Sequence, residues 1–263
     1  MTASVADPQS EVQVDAASTV SVDRPGRLRW FLQPTICVVA VVASLVYVNT
    51  ASVSETERRS LSVDELLALL RQHMSISVTA TLLTCLVAIP LGILLTRGAM
   101  RSFAKPVTTV AGFGQAAPAI GLIALGQVLF GIGFWGAVIA LTVYGVLPIV
   151  ANTVTGLNSV DARLVEAARG MGMSAFSTLV RVELPLALKI IVAGVRTALV
   201  LIVGTATLAA FTGGGGLGTL IKTGITLQQD VTLIVGAILV AALALFIDWL
   251  ARLVELVAAP KGI

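Results

Sequence analysis

The chain has 263 residues, of which 57% are hydrophobic and 12% charged, and its mean hydropathy is +0.98. A water-soluble globule of this length cannot bury that much apolar surface, which excludes a soluble fold. Net charge is only +3, and the basic residues lie beside apolar blocks, so the pI of about 9.2 is a topology signal rather than a nucleic-acid one.

Residues 1–29 are polar and carry Asp7, Glu11, Asp15 and Asp23 among scattered Ser and Thr. They read as a disordered cytoplasmic tail. A cleaved signal peptide is the rival reading, but the segment is too long and too acidic before its first apolar block. Six apolar stretches follow, near 30–48, 75–95, 106–130, 134–154, 190–211 and 231–250. Each is long enough to cross a bilayer as a helix, and the ten-residue alternation of barrel strands is absent. Between the first two lies a short amphipathic segment. Ser62 caps it, Glu65 follows three residues on, and Leu66, Leu67, Leu69 and Leu70 form its apolar side, which places it on the membrane surface. The expected division is therefore 1–29 tail, 30–74 first span and outer segment, 75–254 core and 255–263 cytoplasmic tail.

Alternating the spans leaves Arg58, Arg59, Arg71 and Lys222 on one side. The other thirteen basic residues fall on the side of the N-terminus, which puts both termini in the cytoplasm. Pro34, Pro90, Pro118 and Pro148 fall inside spans, as packing kinks or as shapers of a pathway and its gates.

The longest polar segment on the cytoplasmic side is 158–188. Asp161 caps a first helix through Leu164, Val165, Ala167 and Ala168, and Gly170 and Gly172 break it. Ser174 caps a second helix through Phe176, Leu179 and Val180, expected to end near Pro185. The result is a projecting helical elbow with small residues that leave room for a partner. An ordinary solvated loop is the plainer alternative. DNA binding is disfavoured, because the elbow is tied between spans and has no strong basic face.

Here the sequence resembles the permeases of binding-protein-dependent ABC importers. Their cytoplasmic motif is Glu-Ala-Ala, three residues, Gly, nine residues, then Ile-x-Leu-Pro. This chain has Glu166-Ala167-Ala168, Gly172, and Val182-Glu183-Leu184-Pro185, departing only in Val182. The resemblance covers roughly 75–254. It implies an all-α membrane protein of six transmembrane helices with a type I ABC importer permease (MetI-like) core. It also implies a coupling loop at 158–188 that sits in a groove of a separate ATPase, with Glu166, Ala167, Ala168, Arg169, Gly170, Gly172, Val182, Leu184 and Pro185 at the contact. The stretch from Gly112 to Leu125, with Gln115 and Pro118, resembles the betaine and choline branch, although Ala119 stands where that branch usually has Ser. The stretch from Ala193 to Gly218 resembles it further. A quaternary ammonium osmoprotectant such as glycine betaine or choline is the implied cargo. The implied partners are ABC ATPases that bind ATP and Mg, a second permease subunit, identical or homologous, and an extracytoplasmic binding protein. No cofactor is expected in this chain.

The remaining polar features are weighed singly. Arg196 and Asp248 sit near the ends of their spans. They anchor the helices or form a gate network, Arg196 pairing with an acid such as Glu166 or Asp248, while Asp248 has Arg252 four residues on. Gly213, Gly214, Gly215 and Gly216 lie in TGGGGLG, which is no phosphate loop because Thr219 follows where Lys is required. They read either as a flexible or close-packing loop or as an outer hinge. Phe113, Phe130, Phe134, Trp135 and Tyr144 are the aromatics available to a cationic ligand. His73 is the only histidine, expected at the outer surface, and cannot build a metal site. Cys37 and Cys85 lie in apolar runs and read as packing residues. No nucleophile–base pair marks an enzyme. An ion-driven secondary transporter is the rival class, but it calls for a midplane carboxylate that the spans lack and leaves the elbow unexplained. A membrane scaffold leaves the elbow unexplained too.

Overall fold

The computed structural model describes residues 27–51 and 53–258. Of the expected polar tail at 1–29, residues 1–26 lie outside them, as do the last residues, 259–263, while residues 27–29 form the start of α1. Every regular element among the described residues is helical. In chain order these are α1 Arg27–Thr50, α2 Glu55–Ser60, α3 Val63–Leu94, α4 Ala104–Ala116, α5 Ala119–Phe130, α6 Phe134–Asn158, α7 Ala162–Gly170, α8 Ala175–Thr178, α9 Leu184–Thr205, α10 Gly218–Leu227 and α11 Asp230–Ala258. Tight 3₁₀ turns occupy Gly98–Phe103 and Ala206–Thr212, and a π-helical turn occupies Leu179–Glu183.

Five helical stretches are long and apolar enough to cross a membrane: Trp30–Thr50, Val63–Leu94, Phe134–Asn158, Ala175–Thr212 and Asp230–Val257. The sixth expected span, 106–130, is instead two short helices, α4 and α5, broken at Pro118. There ψ is 117°, so the residue leads into α5 without continuing α4. The outer amphipathic segment is not a separate surface helix. Ser62 caps it through the Glu65 amide, as its sequence predicts, but the helix then runs unbroken into the second span as one 32-residue α3. The reason is tertiary: Leu61 and Leu69 are buried against Leu217, Leu220 and Val235, so the segment has an apolar partner other than lipid. At the other end of the chain, residues 255–258, expected in a tail, continue α11.

The centre is built from α3, α6 and α9. Ile76 and Ala80 of α3 meet Ala137, Val138, Ala140 and Leu141 of α6, and Ile202 and Ala206 beyond them. Small side chains at these crossings let the backbones approach, which supplies the dispersion contacts that replace a hydrophobic driving force in lipid. His73 lies in this interior and not at the surface. It is fully buried, with Nε2 3.0 Å from the Val203 carbonyl oxygen. Cys37 is buried, Cys85 is partly so, and both are free thiols.

Pro34 and Pro148 show why prolines are tolerated here. Each lacks the N–H that serves the carbonyl four residues earlier. The Trp30 carbonyl freed by Pro34 accepts instead from the Trp249 indole at 3.0 Å. The Tyr144 carbonyl freed by Pro148 accepts from the Gln115 amide at 3.5 Å. Side chains of neighbouring helices thus satisfy backbone groups that water cannot reach. α1 packs on α11 and is anchored there by this indole and by Gln33, which donates to the Leu245 carbonyl at 2.8 Å and to Asp248 at 3.1 Å. Trp249→Phe keeps the ring and removes the donor. It should cost about 1 kcal/mol, read as a lower unfolding temperature in detergent with no change in insertion.

Candidate functional site

The elbow between α6 and α9 is built by short-range rules. Asp161 caps α7, accepting from the Arg163 amide at 2.9 Å. The Arg163 guanidinium also binds this carboxylate and, with the amide, holds the Asp161 carboxyl below the usual range. α7 ends in a Schellman motif: the Met173 amide bonds the Ala168 carbonyl at 3.2 Å and the Gly172 amide that of Arg169 at 2.9 Å. The motif requires a left-handed residue, and Gly172 supplies it with φ +88°. Ser174 caps α8, accepting from the Ser177 amide.

The second helix of the elbow does not stop at Pro185. It passes through the π turn, where the Leu184 amide reaches back to the Leu179 carbonyl, and continues as α9. Pro185 falls in the first turn of α9, directly after the π turn. Val182 and Leu184 are half-buried at this junction, and Pro185 is exposed.

The elbow presents a mixed surface. Glu166, Ala167, Arg169, Gly170 and Gly172 are exposed, while Ala168 is buried. Around them Leu164, Val180, Met171 and Phe176 project outward, the last two with 77% and 76% of their surfaces uncovered. Leu164 and Met171 lie outside the apolar spans, and Phe176 and Val180 lie in the first turns of the stretch Ala175–Thr212, so the patch sits where a span leaves the membrane and is suited to a protein partner.

Glu183 was not singled out in the sequence, yet it is the buried acid of this segment, at 5% exposure. It takes a two-pronged bond from Arg97, with Nη1 3.1 Å from Oε1 and Nη2 on Oε2. Its place inside the Leu-Pro motif was visible, but its partner 86 positions away was not.

A second polar cluster joins α9, α11 and α1. Arg196 donates to Asp248 at 2.8 Å and to Glu255 at 3.2 Å, and Arg252 holds the other Asp248 oxygen at 3.1 Å. Arg196 therefore pairs with Asp248 and not with Glu166, and the pairing with Glu255 is new. Each of these charges is matched, so the cluster is a lock between helices rather than a free ion-binding group.

The expected pathway residues are distributed along the bundle. Gln115 and Tyr144 meet through the amide–carbonyl bond at the α4–α6 contact, close in sequence to the Pro118 break. Phe134 and Trp135 stack edge to face at 5.3 Å beside the α5–α6 turn, and Phe130 is exposed nearby. The Phe113 side chain lies outside the described residues. Tyr144 sits further along α6, so the rings among the described residues do not gather into one cage.

The glycine loop is not slack. Gly213, Gly215 and Gly216 have φ of +88°, +79° and +85°. Gln72 pins the loop, accepting from the Gly216 amide at 3.0 Å and reaching the Gly214 carbonyl at 3.5 Å. No cluster of potential metal ligands occurs among the described residues.

Comparison with known proteins agrees with this architecture. Residues 88–256 match the family described as binding-protein-dependent transport system inner membrane component. The chain is 41% identical over 199 residues to the glycine betaine/carnitine/choline transport system permease protein of Bacillus subtilis, covering 76% of this chain and 91% of that one. It is 42% identical over 186 residues to an osmoprotectant import permease of Salmonella typhimurium, covering 71% and 79%. Among solved structures it resembles the inward-facing MetNI methionine ABC transporter, with TM-score 0.68 at 21% identity, over 79% of this chain and 100% of that one. With its apolar helices, its projecting elbow and these matches, the chain belongs to the inner-membrane permease family of binding-protein-dependent ABC transport systems.

Proposed function

We propose that this chain is the pathway-forming subunit of an ATP-driven importer for a quaternary ammonium osmoprotectant such as glycine betaine or choline. The observation that carries the reading is the elbow, an exposed partner surface whose shape is set by the Glu166-to-Pro185 motif. Docked on a cytoplasmic ATPase, it passes the closure of two ATP- and Mg-bound subunits into α6 and α9 and alternates access through the bundle. The ATPase performs the hydrolysis, and this chain contributes no catalytic residue and no cofactor. One copy engages one ATPase, so a second permease half, identical or homologous, completes the pathway. A binding protein delivers cargo to the face opposite the elbow. This orientation places both termini in the cytoplasm.

The cargo class is supported by the glycine betaine, carnitine and choline named for the relatives. The scattered aromatics are consistent with most discrimination residing in the binding protein. The ion-driven alternative is not favoured, because Asp248 and Glu255, in the C-terminal half of α11, are both engaged by Arg196. The test is uptake of labelled glycine betaine in cells stripped of their own betaine systems and supplied with this permease and its partners. Uptake that requires the ATPase and is competed by choline or carnitine is the expected result. An assembled, ATP-hydrolysing complex with no uptake would remove the cargo assignment and keep the transporter class.

A further inference from the structure

α3 is held to its neighbours by one polar clasp in its third turn and another at its end. At the first, Gln72 grips the glycine loop, and His73 beside it bonds the Val203 carbonyl. At the other, the chain leaves α3 through Leu95, which is fully buried, and the Arg97 amide still bonds the Leu94 carbonyl at 3.0 Å. Arg97 is therefore fixed to the last turn of α3. Its side chain forks onto Glu183, inside the π turn that carries the elbow into α9. Beneath the pair, Ile89 and Ile93 of α3 pack with Leu157, Leu179 and Ala187. Gln72 and the end of α3 at Leu94, where Arg97 is attached, are ~33 Å apart along the helix axis.

The chemistry of the pair argues for more than stability. Glu183 is buried and the Arg97 side chain half-buried, and such an ion pair gains little over an apolar one of the same shape, because desolvation offsets the attraction. The Arg97 Nε is buried without a partner, so the geometry is not even fully satisfied. What a planar fork on a carboxylate does supply is a fixed direction and distance. It also sits behind the docking patch: Glu183 is buried, while Met171 and Phe176 point away into solvent.

We propose that Arg97 and Glu183 are positioning residues for transport, a clasp that makes α3 follow the elbow and so moves the glycine loop held by Gln72. This rests on the reading of the elbow as the ATPase contact. Arg97 and Glu183 do not touch cargo or ATP. They keep two elements in register while one is being pushed.

The test uses the assembled complex and measures ATPase retention, thermal unfolding and uptake per ATP hydrolysed. Arg97→Gln or Glu183→Gln alone leaves one charge unpaired and should lower both stability and uptake. The double variant Arg97→Gln, Glu183→Gln removes both charges, so stability should return toward wild type. Uptake per ATP should stay about tenfold down, within the usual range of a coupling term. Arg97→Lys, which keeps the charge and loses the fork, should fall between. A double neutral variant with wild-type uptake per ATP would make the pair structural and overturn the proposal. Loss of the ATPase from that variant would place the pair in the docking surface and also overturn it. Failure of the wild-type permease to retain any ATPase would sink the elbow reading itself, a result separable from both.

Discussion

Replacing Gly172 with valine is expected to lower uptake tenfold or more while leaving the permease inserted and the bundle intact. Gly172 has φ +88°, and a Cβ built there meets no heavy atom within 4 Å, so the penalty is purely in the backbone. For an L-residue that penalty is ~1–2 kcal/mol, and a β-branched one suffers most. It is relieved by unwinding the Schellman motif, which frees the Ala168 and Arg169 carbonyls and moves the exposed Glu166-Ala167 surface. α7 is not embedded in the core of α3, α6 and α9, so insertion is unaffected. Uptake should fall tenfold or more, roughly the size of a coupling term. Two controls separate conformation from identity. Gly172→Asn, which tolerates the left-handed region, should retain part of the activity. Gly170→Ala, in the helix and with no heavy atom within 4 Å of the added methyl, should leave the fold of the elbow unchanged, read as a wild-type unfolding temperature. Wild-type uptake by Gly172→Val would show that the conformation of the elbow is not what couples it.

The contrast between Gly172 and Glu183 marks what was legible in the chain. Gly172, Asp161 and Ser174 act on amides two to five positions away, so their roles follow from local spacing. The apolar blocks likewise located the spans, because a bilayer imposes length and composition on each helix separately. What escaped reading was tertiary. Glu183 depends on Arg97, and the freed Tyr144 carbonyl depends on Gln115. The segment after Ser62 is charged enough to look like a surface helix until Leu217 and Leu220 are set against Leu69. His73 shows the same limit, since one histidine near a span end carries no local sign of the Val203 carbonyl it meets. The break at Pro118 was ambiguous because Pro34 and Pro148, in equally apolar surroundings, leave their helices continuous. At those two positions a donor from another helix, Trp249 or Gln115, serves the freed carbonyl.

Gly218→Ala is expected to be the most destabilising single-methyl change in the glycine-rich segment. Gly218 is buried at the start of α10 against the 3₁₀ turn Ala206–Thr212. A Cβ there would overlap the Thr207 carbonyl oxygen and lie 2.7 Å from its carbon. The obstacle is backbone, and Thr207 is further held by its hydroxyl bond to the Gly204 carbonyl at 2.7 Å, so no side chain can swing aside. Overpacking of this kind costs about 3 kcal/mol at a site that cannot relax. The strain should lift α10 off the turn and with it Leu217 and Leu220, which are buried in the cluster containing Leu61 and Leu69. That would in turn pull the glycine loop from Gln72. The expected readouts are a lower unfolding temperature in detergent and reduced yield, with uptake reduced in proportion to folded protein. Gly204→Ala is the matched control: it sits in α9 with no heavy atom within 4 Å of the added methyl, and helix propensity favours alanine. If Gly218→Ala kept wild-type stability while Gly204→Ala lost it, the contact that seats α10 would lie elsewhere than the Thr207 turn. The reverse order makes this turn the fixed point against which the glycine loop is held, and Gln72 of α3 the handle that reaches it.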